Sequence, residues 1–249
     1  MLIGLVSKIG GGKDTVVQIV QELYPELNWQ IRGFADKLRQ VASLLTGIPA
    51  EDMKQQEVKE QMLGPEWADI ETKVISGNTY QYPIDLRTLL QRLGTNAVRD
   101  GLNPNSWVNA LMVDYRPYID RRFDGNRLTQ GYHCSDCISC HKDFTGWKRQ
   151  RACNECVDAG FKEYPNWLVY DTRFPNELEA ITSRGGICIR IVRPDNPHPQ
   201  SNHISETALD GVELSTIIND GNLDQLRIKV KEVFDPIVHR IRSGDTSVA

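Results

Sequence analysis

Leu2-Ile3-Gly4-Leu5-Val6-Ser7-Lys8-Ile9-Gly10-Gly11-Gly12-Lys13-Asp14-Thr15 opens the chain and decides how the rest is read. Leu2 to Val6 is a continuous apolar run, the pattern of a strand buried on both faces. Three glycines follow. From Thr15 to Tyr24 the apolar residues Val16, Val17, Ile19, Val20 and Leu23 recur at helical spacing, and Pro25 ends the run. A strand, a glycine turn and a helix start in this order let backbone N–H groups converge on an anion, which the helix dipole also favours.

The same alternation continues outward. Asn28 to Arg32 reads as a second strand, and Ala35 to Thr46 as a helix closed by Gly47. Residues 50–82 are polar and suggest short helices and a hairpin at Gly77-Asn78. Residues 85–93 and 105–115 suggest two amphipathic helices, with a loop containing Gly101, Asn103 and Pro104 between them. Trp167 to Tyr170 is a short buried strand ending in Asp171, followed by a helix over 175–184. Gly186 to Val192 is a strand stopped by Pro194, and Ser215 to Ile218 reads as a last strand. Leu223 to Arg242 is helical with an expected break at Pro236, and Ser243 to Ala249 is expected to fray. Strands alternating with helices imply a parallel sheet covered on both faces. The expected fold is α/β, the three-layer architecture of P-loop NTPases. Residues 1–120 and 164–249 form its core, and the polar, cysteine-rich stretch 121–163 is read as a small zinc-ribbon-like insertion.

Composition narrows the function classes. Of 249 residues, 40% are hydrophobic and 25% charged, and the formal charge is −4, so nothing global favours a polyanionic or membrane-surface partner. Met1 to Ser7 is too short and lacks the basic leader of a signal peptide. No stretch approaches the roughly 20 apolar residues that span a bilayer. The expectation is a cytoplasmic protein without a membrane partner. The sequence leaves a homodimer open.

The glycine segment approximates the G-x-x-x-x-G-K-[ST] phosphate loop. Gly10, Gly11 and Gly12 supply the turn, and Lys13 reaches the β- and γ-phosphates. Two positions depart from the pattern. Ser7 stands for the first glycine, and Asp14 stands where a hydroxyl meets magnesium. A carboxylate also suits Mg²⁺, which takes hard oxygen ligands. Thr15 lies roughly 100° further round the helix and is the poorer ligand. A second acidic residue at a strand end helps to place Mg²⁺ in such sites, and Asp171 has that position. Arg173, two residues on, is suited to clamp a phosphoryl group. The plain alternatives are a glycine turn that binds nothing, and Asp171 or Thr172 as the N-cap of the helix near Pro175.

With these residues in place, the chain resembles the phage-type deoxynucleoside monophosphate kinases, a branch of the P-loop nucleoside monophosphate kinases. The matching segments run in family order: Gly12-Lys13-Asp14-Thr15, Phe34-Ala35-Asp36-Lys37-Leu38, Arg87 with Leu90-Gln91 and Leu93-Gly94-Thr95, Trp107-Val108, Asp171-Thr172-Arg173-Phe174-Pro175-Asn176-Glu177, Val192-Arg193-Pro194, His203-Ile204-Ser205-Glu206 and Asn219-Asp220-Gly221. They cover nearly all of the chain outside roughly 120–163. Aspartate after the loop lysine is itself a trait of that family. The resemblance implies ATP- and Mg²⁺-dependent transfer of a phosphoryl group to a deoxynucleoside 5′-monophosphate in a host cytoplasm. ATP would be held by Ser7, Gly10 to Thr15 and Arg193, and the chemistry carried by Lys13, Asp14, Asp171 and Arg173. The acceptor would be held by Phe34, Asp36, Lys37, Arg39, Arg87, Gln91, Arg99 and Trp107. His203 and Glu206 match without a chemical role, and a capping or loop-fixing role near Ser205 is the alternative.

Five of six cysteines fall between Cys134 and Cys156. Cys134-x2-Cys137 and Cys153-x2-Cys156 stand 15 residues apart, a ribbon-like spacing for structural Zn²⁺. Cys140, His133 and His141 are spares or alternative ligands. Cys188 lies in an apolar run and reads as a small core residue. Lys142, Trp147, Lys148, Arg149 and Arg151 leave a nucleic-acid contact open, diluted by nearby acids. Two other functions stay in view. One is a kinase whose acceptor is a hydroxyl on a modified base in DNA, with Asp36 as its base. The other is a nucleotide-gated module that binds nucleic acid.

Overall fold

The computed structural model describes residues 1–68, 73–75, 78–80, 82–116, 118–119, 123–124, 127–128, 150–151, 164–197 and 204–243. In chain order the main elements are β1 (Leu2–Ser7), α1 (Lys13–Leu23), β2 (Gln30–Arg32), α2 (Phe34–Thr46), α3 (Gln56–Lys59), α4 (Leu86–Gln91), a π-helix (Arg92–Asp100) and α5 (Ser106–Met112). Then come β3 (Trp167–Val169), α6 (Pro175–Thr182), β4 (Ile187–Val192), α7 (Ile204–Thr207), β5 (Ser215–Ile218) and α8 (Leu223–Ser243). The chain divides into two compact units, one of Met1–Arg32 with Met112–Ala249 and one of Gly33–Leu111.

The first unit holds a five-stranded sheet in the order β5-β4-β1-β3-β2. Every pairing is parallel: Ile3 lies opposite Ile187 and Leu168, Ile31 opposite Leu168, and Ile191 opposite Ile217. β1, the strand leading into the glycines, is therefore central. Its burial on both faces follows from helices on each side. On one face Ile3, Leu5, Leu168, Ile189, Ile191 and Ile217 pack with Val16, Ile19 and Val20 of α1 and with Val230, Phe234 and Val238 of α8. On the other, Gly4 lies against α6 so closely that a Cβ there would stand 2.6 Å from Ile181 Cδ1. Burying each aliphatic side chain in these layers is worth about 1.5–3 kcal/mol. The expected α/β class with a parallel sheet is thus observed.

Pro236 does not break α8, which runs unbroken from Leu223 to Ser243. An interior proline costs about 3 kcal/mol. Leu226, Val230, Phe234, Ile237 and Val238 are all buried and hold both halves of the helix on the sheet.

The second unit has its own core of Ala42, Met53, Leu86 and Leu89. α2 ends as expected at Gly47, which adopts φ 74° and donates to Ser43 O. Asp85 caps α4 by accepting from Thr88 N–H at 2.8 Å. The loop expected after residue 93 is instead a π-helix to Asp100, and i+5 spacing continues past it, with Gly101 N–H on Asn96 O and Asn103 N–H on Val98 O, both at 3.0 Å. The Trp107 indole N–H donates to Gly94 O, within this stretch, at 2.9 Å.

Three short antiparallel pairs complete the description: Lys73–Ile75 with Asn78–Tyr80, Tyr118–Ile119 with Gln150–Arg151, and Phe123–Asp124 with Arg127–Leu128. The first is the strand pairing of the hairpin expected around Gly77-Asn78, with Gly77 itself outside the described residues. Cys134, Cys137, Cys140, Cys153, Cys156, His133 and His141 lie outside the described residues, as do His203 and the tail after Ser243. Among the described residues no helix is long and apolar enough to cross a membrane.

Candidate functional site

The glycine segment turns at the C-terminal end of central β1. Gly10 and Gly12 take φ of 76° and 95°, values that residues with a Cβ rarely adopt. Gly11 needs its missing side chain for space, since a Cβ would stand 2.1 Å from Ser7 Oγ. Gly11 N–H closes the turn on Lys8 O at 3.0 Å. Gly12 is the N-cap of α1 and Lys13 its first residue. Lys13 Nζ lies 3.9 Å from Asp14 Oδ2; the lysine side chain is 20% exposed and the aspartate 81%, so the carboxylate reaches solvent at the positive end of the helix. Thr15 is half-buried in the first turn.

Asn219, at the end of β5, braces the turn. Its N–H bonds Val192 O at 2.7 Å and its Nδ2 bonds Gly11 O at 3.2 Å. A Cβ on Gly12 would stand 2.4 Å from that Nδ2. The outer side of the turn is held as well. Ile9 N–H donates to Glu206 Oε2 at 2.9 Å, Asn196 Nδ2 to Ile9 O at 2.6 Å, and Lys8 Nζ to Asp210 Oδ2 at 3.0 Å.

A cavity of about 280 Å³ opens beside the turn, at the C-terminal ends of β1, β3 and β4. Ser7, Lys8, Gly11, Arg173, Arg193 and Glu206 are among its walls. Crevices outside the carboxyl ends of parallel strands are where open α/β sheets bind ligands. Arg173 Nη1 pairs with Glu206 Oε1 and lies 3.5 Å from Ser205 Oγ. Arg193 is exposed.

Asp171 follows β3 and is buried, 8% exposed. Thr172 N–H bonds Leu5 O at 3.2 Å, which sets the end of this segment beside β1. Neither Asp171 nor Thr172 is the N-cap of α6. Phe174 occupies that position, and Glu177 Oε2 accepts from Arg173 N–H at 2.7 Å and Phe174 N–H at 3.1 Å. An acid three residues into the helix can reach back to the free N–H groups of the first turn, which relieves Asp171 of that task. Cys188 is a buried core residue of β4, and burial pushes its thiol up to about 12.

In the second unit, Phe34 is buried, 3% exposed. Asp36 Oδ2 accepts from Gly33 N–H at 2.7 Å and Oδ1 pairs with Arg39, itself buried. Arg87 Nη2 is 3.7 Å from Glu60 Oε1. Lys37, Arg99 and Trp107 are half-buried and Gln91 is exposed. The structure thus gathers Ser7, Gly10 to Thr15, Arg173 and Arg193 about the loop and cavity of the first unit. Phe34, Asp36, Lys37, Arg39, Arg87, Gln91, Arg99 and Trp107 all lie in the second. Sequence reasoning left Asn219 without a role and gave Glu206 only a capping or loop-fixing alternative near Ser205; the 208 residues between Asn219 and Gly11 hide their contact.

No protein-family model matches the chain, and no curated protein matches it significantly.

Proposed function

We propose that the chain is a P-loop phosphotransferase that moves the γ-phosphoryl group of ATP to a deoxynucleoside 5′-monophosphate. The observation that carries this reading is the turn itself. Two left-handed glycines shape it, Lys13 starts α1 directly after it, and the cavity beside it carries Arg173. Turn N–H groups with Lys13 at the start of α1, and Arg173 on the wall of the neighbouring cavity, are groups that suit a polyanion.

The acceptor phosphate already carries close to two negative charges at pH 7, its second pKa being about 6. It needs no general base, only cations that hold two anions in line. Lys13 would take the β- and γ-phosphates, and Arg173 the charge on the transferred group. Arg193, exposed at the mouth, is offered to the ATP side. Asp14 and Asp171 are the carboxylates that would hold Mg²⁺, which would supply positive charge to neutralise the phosphates. Arg39, Arg87, Arg99 and Lys37 of the second unit are the cations offered to the acceptor, with Gln91 and Trp107 beside them in sequence. Asp36 is already engaged at both oxygens, an arrangement less suited to a proton-abstracting base. The cysteine spacing supports one structural Zn²⁺ as a proposal of its own.

The test is transfer. Purified protein, labelled ATP and Mg²⁺ are incubated with each deoxynucleoside monophosphate and separately with DNA. Label in at least one diphosphate is expected, and label in none overturns the reading. Label in DNA would favour the hydroxyl acceptor, and ATP-dependent DNA binding without transfer a nucleotide-gated module.

A further inference from the structure

Glu206 takes no part in the transfer just described, yet among the described residues it is one of the few buried charged side chains, its carboxylate only 4% exposed. Burying a carboxylate is costly unless it is paired and hydrogen-bonded. Both of its oxygens are used, and on two different structures. Oε2 accepts Ile9 N–H, in the glycine turn, at 2.9 Å. Oε1 takes Arg173 Nη1, beyond β3. Ion-assisted bonds of this kind are roughly twice as strong as neutral ones. α7 is a single turn of helix with Ile204 exposed, so packing does not explain an acid held there. The flanking bonds from Lys8 to Asp210 and from Asn196 to Ile9 O fix the same outer side of the turn.

We propose that Glu206 is a positioning residue that couples the glycine turn to Arg173. One carboxylate then sets both the shape of the phosphate loop and the aim of the arginine. This inference rests on the assignment of loop and Arg173 made above. An unrestrained arginine loses rotamer freedom when it meets an anion. Held through Nη1, Arg173 meets an anion already oriented, and the interaction is available without rearrangement. The carboxylate can accept from both partners at once. A glutamine of the same size cannot, because its amide nitrogen is a donor facing a second donor. Glu206→Gln therefore breaks one arm of the coupling without leaving a cavity.

The experiment uses the full chain as wild type, Glu206→Gln, Arg173→Ala and the double variant. With ATP, Mg²⁺ and the best monophosphate, Glu206→Gln is expected to lower kcat about tenfold or more while each KM stays within about threefold. In the Arg173→Ala background the same change is expected to cost less than about twofold, since residues acting as a unit are not additive. Losses that multiply in the double variant, or a wild-type kcat in Glu206→Gln, overturn the coupling. Hydrogen exchange of the peptide covering Lys8 to Gly12, measured without nucleotide, reads the same coupling apart from activity. It is expected to speed up about tenfold in Glu206→Gln and also in Arg173→Ala, while β4 keeps its protection. Wild-type exchange of that peptide in Arg173→Ala overturns the proposal even if Glu206→Gln does not fold. Should the wild type transfer phosphoryl to nothing, the functional reading fails and the exchange measurements still decide the coupling.

Discussion

Lys13 stands one residue after a glycine at φ 95° and one before an exposed aspartate, and its side chain is four-fifths buried. A lysine so placed holds its charge near the α1 N-terminus without an ideal ion pair of its own, the 3.9 Å to Asp14 being long. Lys13→Ala is expected to reduce phosphoryl transfer by at least about 10²-fold, in line with the loss of a preorganised charge at the reacting group, with no change in melting temperature beyond a few degrees. Turnover near wild type would show that the loop is misread. Asp85 carries a different residue-scale effect. The bond from Thr88, first among several causes, holds its carboxyl below the ordinary range. A depressed carboxyl contributes stability above its unfolded pKa and loses it as pH falls through the folded one. Asp85→Ala is therefore expected to cost about 1 kcal/mol at pH 7, the worth of an N-cap. The gap between variant and wild type should narrow in urea titrations below about pH 4. A gap that stays constant down to pH 2 would remove the carboxylate from the account.

The glycine turn is the element on which the site depends, and it is specified at both ends. β1 sets its start, and Asn219 from β5 and Glu206 from α7 brace its two sides. Gly12 is its least replaceable residue, because it combines a left-handed φ with a position where an added Cβ would stand 2.4 Å from Asn219 Nδ2. Gly12→Ala is expected to cost about 1–3 kcal/mol in strain. It should also lower transfer by more than Asn219→Ala does, with helix content by circular dichroism unchanged. A fully active Gly12→Ala protein would mean that the turn does not present its N–H groups to a ligand. Much of this element is legible in the sequence, since glycine at positive φ and helical spacing after it are local properties. The π-helix over Arg92–Asp100 was not, because i+5 bonding leaves no residue pattern that a linear reading separates from other structure.

At the scale of the whole molecule, the three-layer unit rests on one long helix and a central strand. Phe234 of α8 is fully buried and stacks on Tyr24, with ring centroids 6.5 Å apart. Phe234→Ala is expected to destabilise by about 3–5 kcal/mol in urea unfolding, the usual cost of an emptied aromatic site. The protein that remains folded should keep its kcat, because the residue lies in the core between sheet and helices rather than at the cavity. A cost below 1 kcal/mol would mean that this core is loosely packed. The cysteine segment gives the other prediction at this scale. Metal analysis of the purified chain is expected to find about one zinc, lost with chelators together with order in residues 121–163. A metal-free protein with that segment folded would overturn the structural zinc.

The sequence alone determined the class of fold and the position of the glycine turn. Apolar runs, helical periodicity and glycines act over a few residues, so a linear reading recovers them. Only the tertiary structure decided which distant residues meet that loop. Asn219, Glu206, Asn196 and Asp210 reach it through bonds that span most of the chain. It also decided that α8 survives Pro236, since burial on the sheet outweighs one missing hydrogen bond. Glu177, not Asp171, takes the free N–H groups before α6, because the acid inside the helix is the one within reach of them. Local chemistry proposes the loop; long-range packing selects its partners.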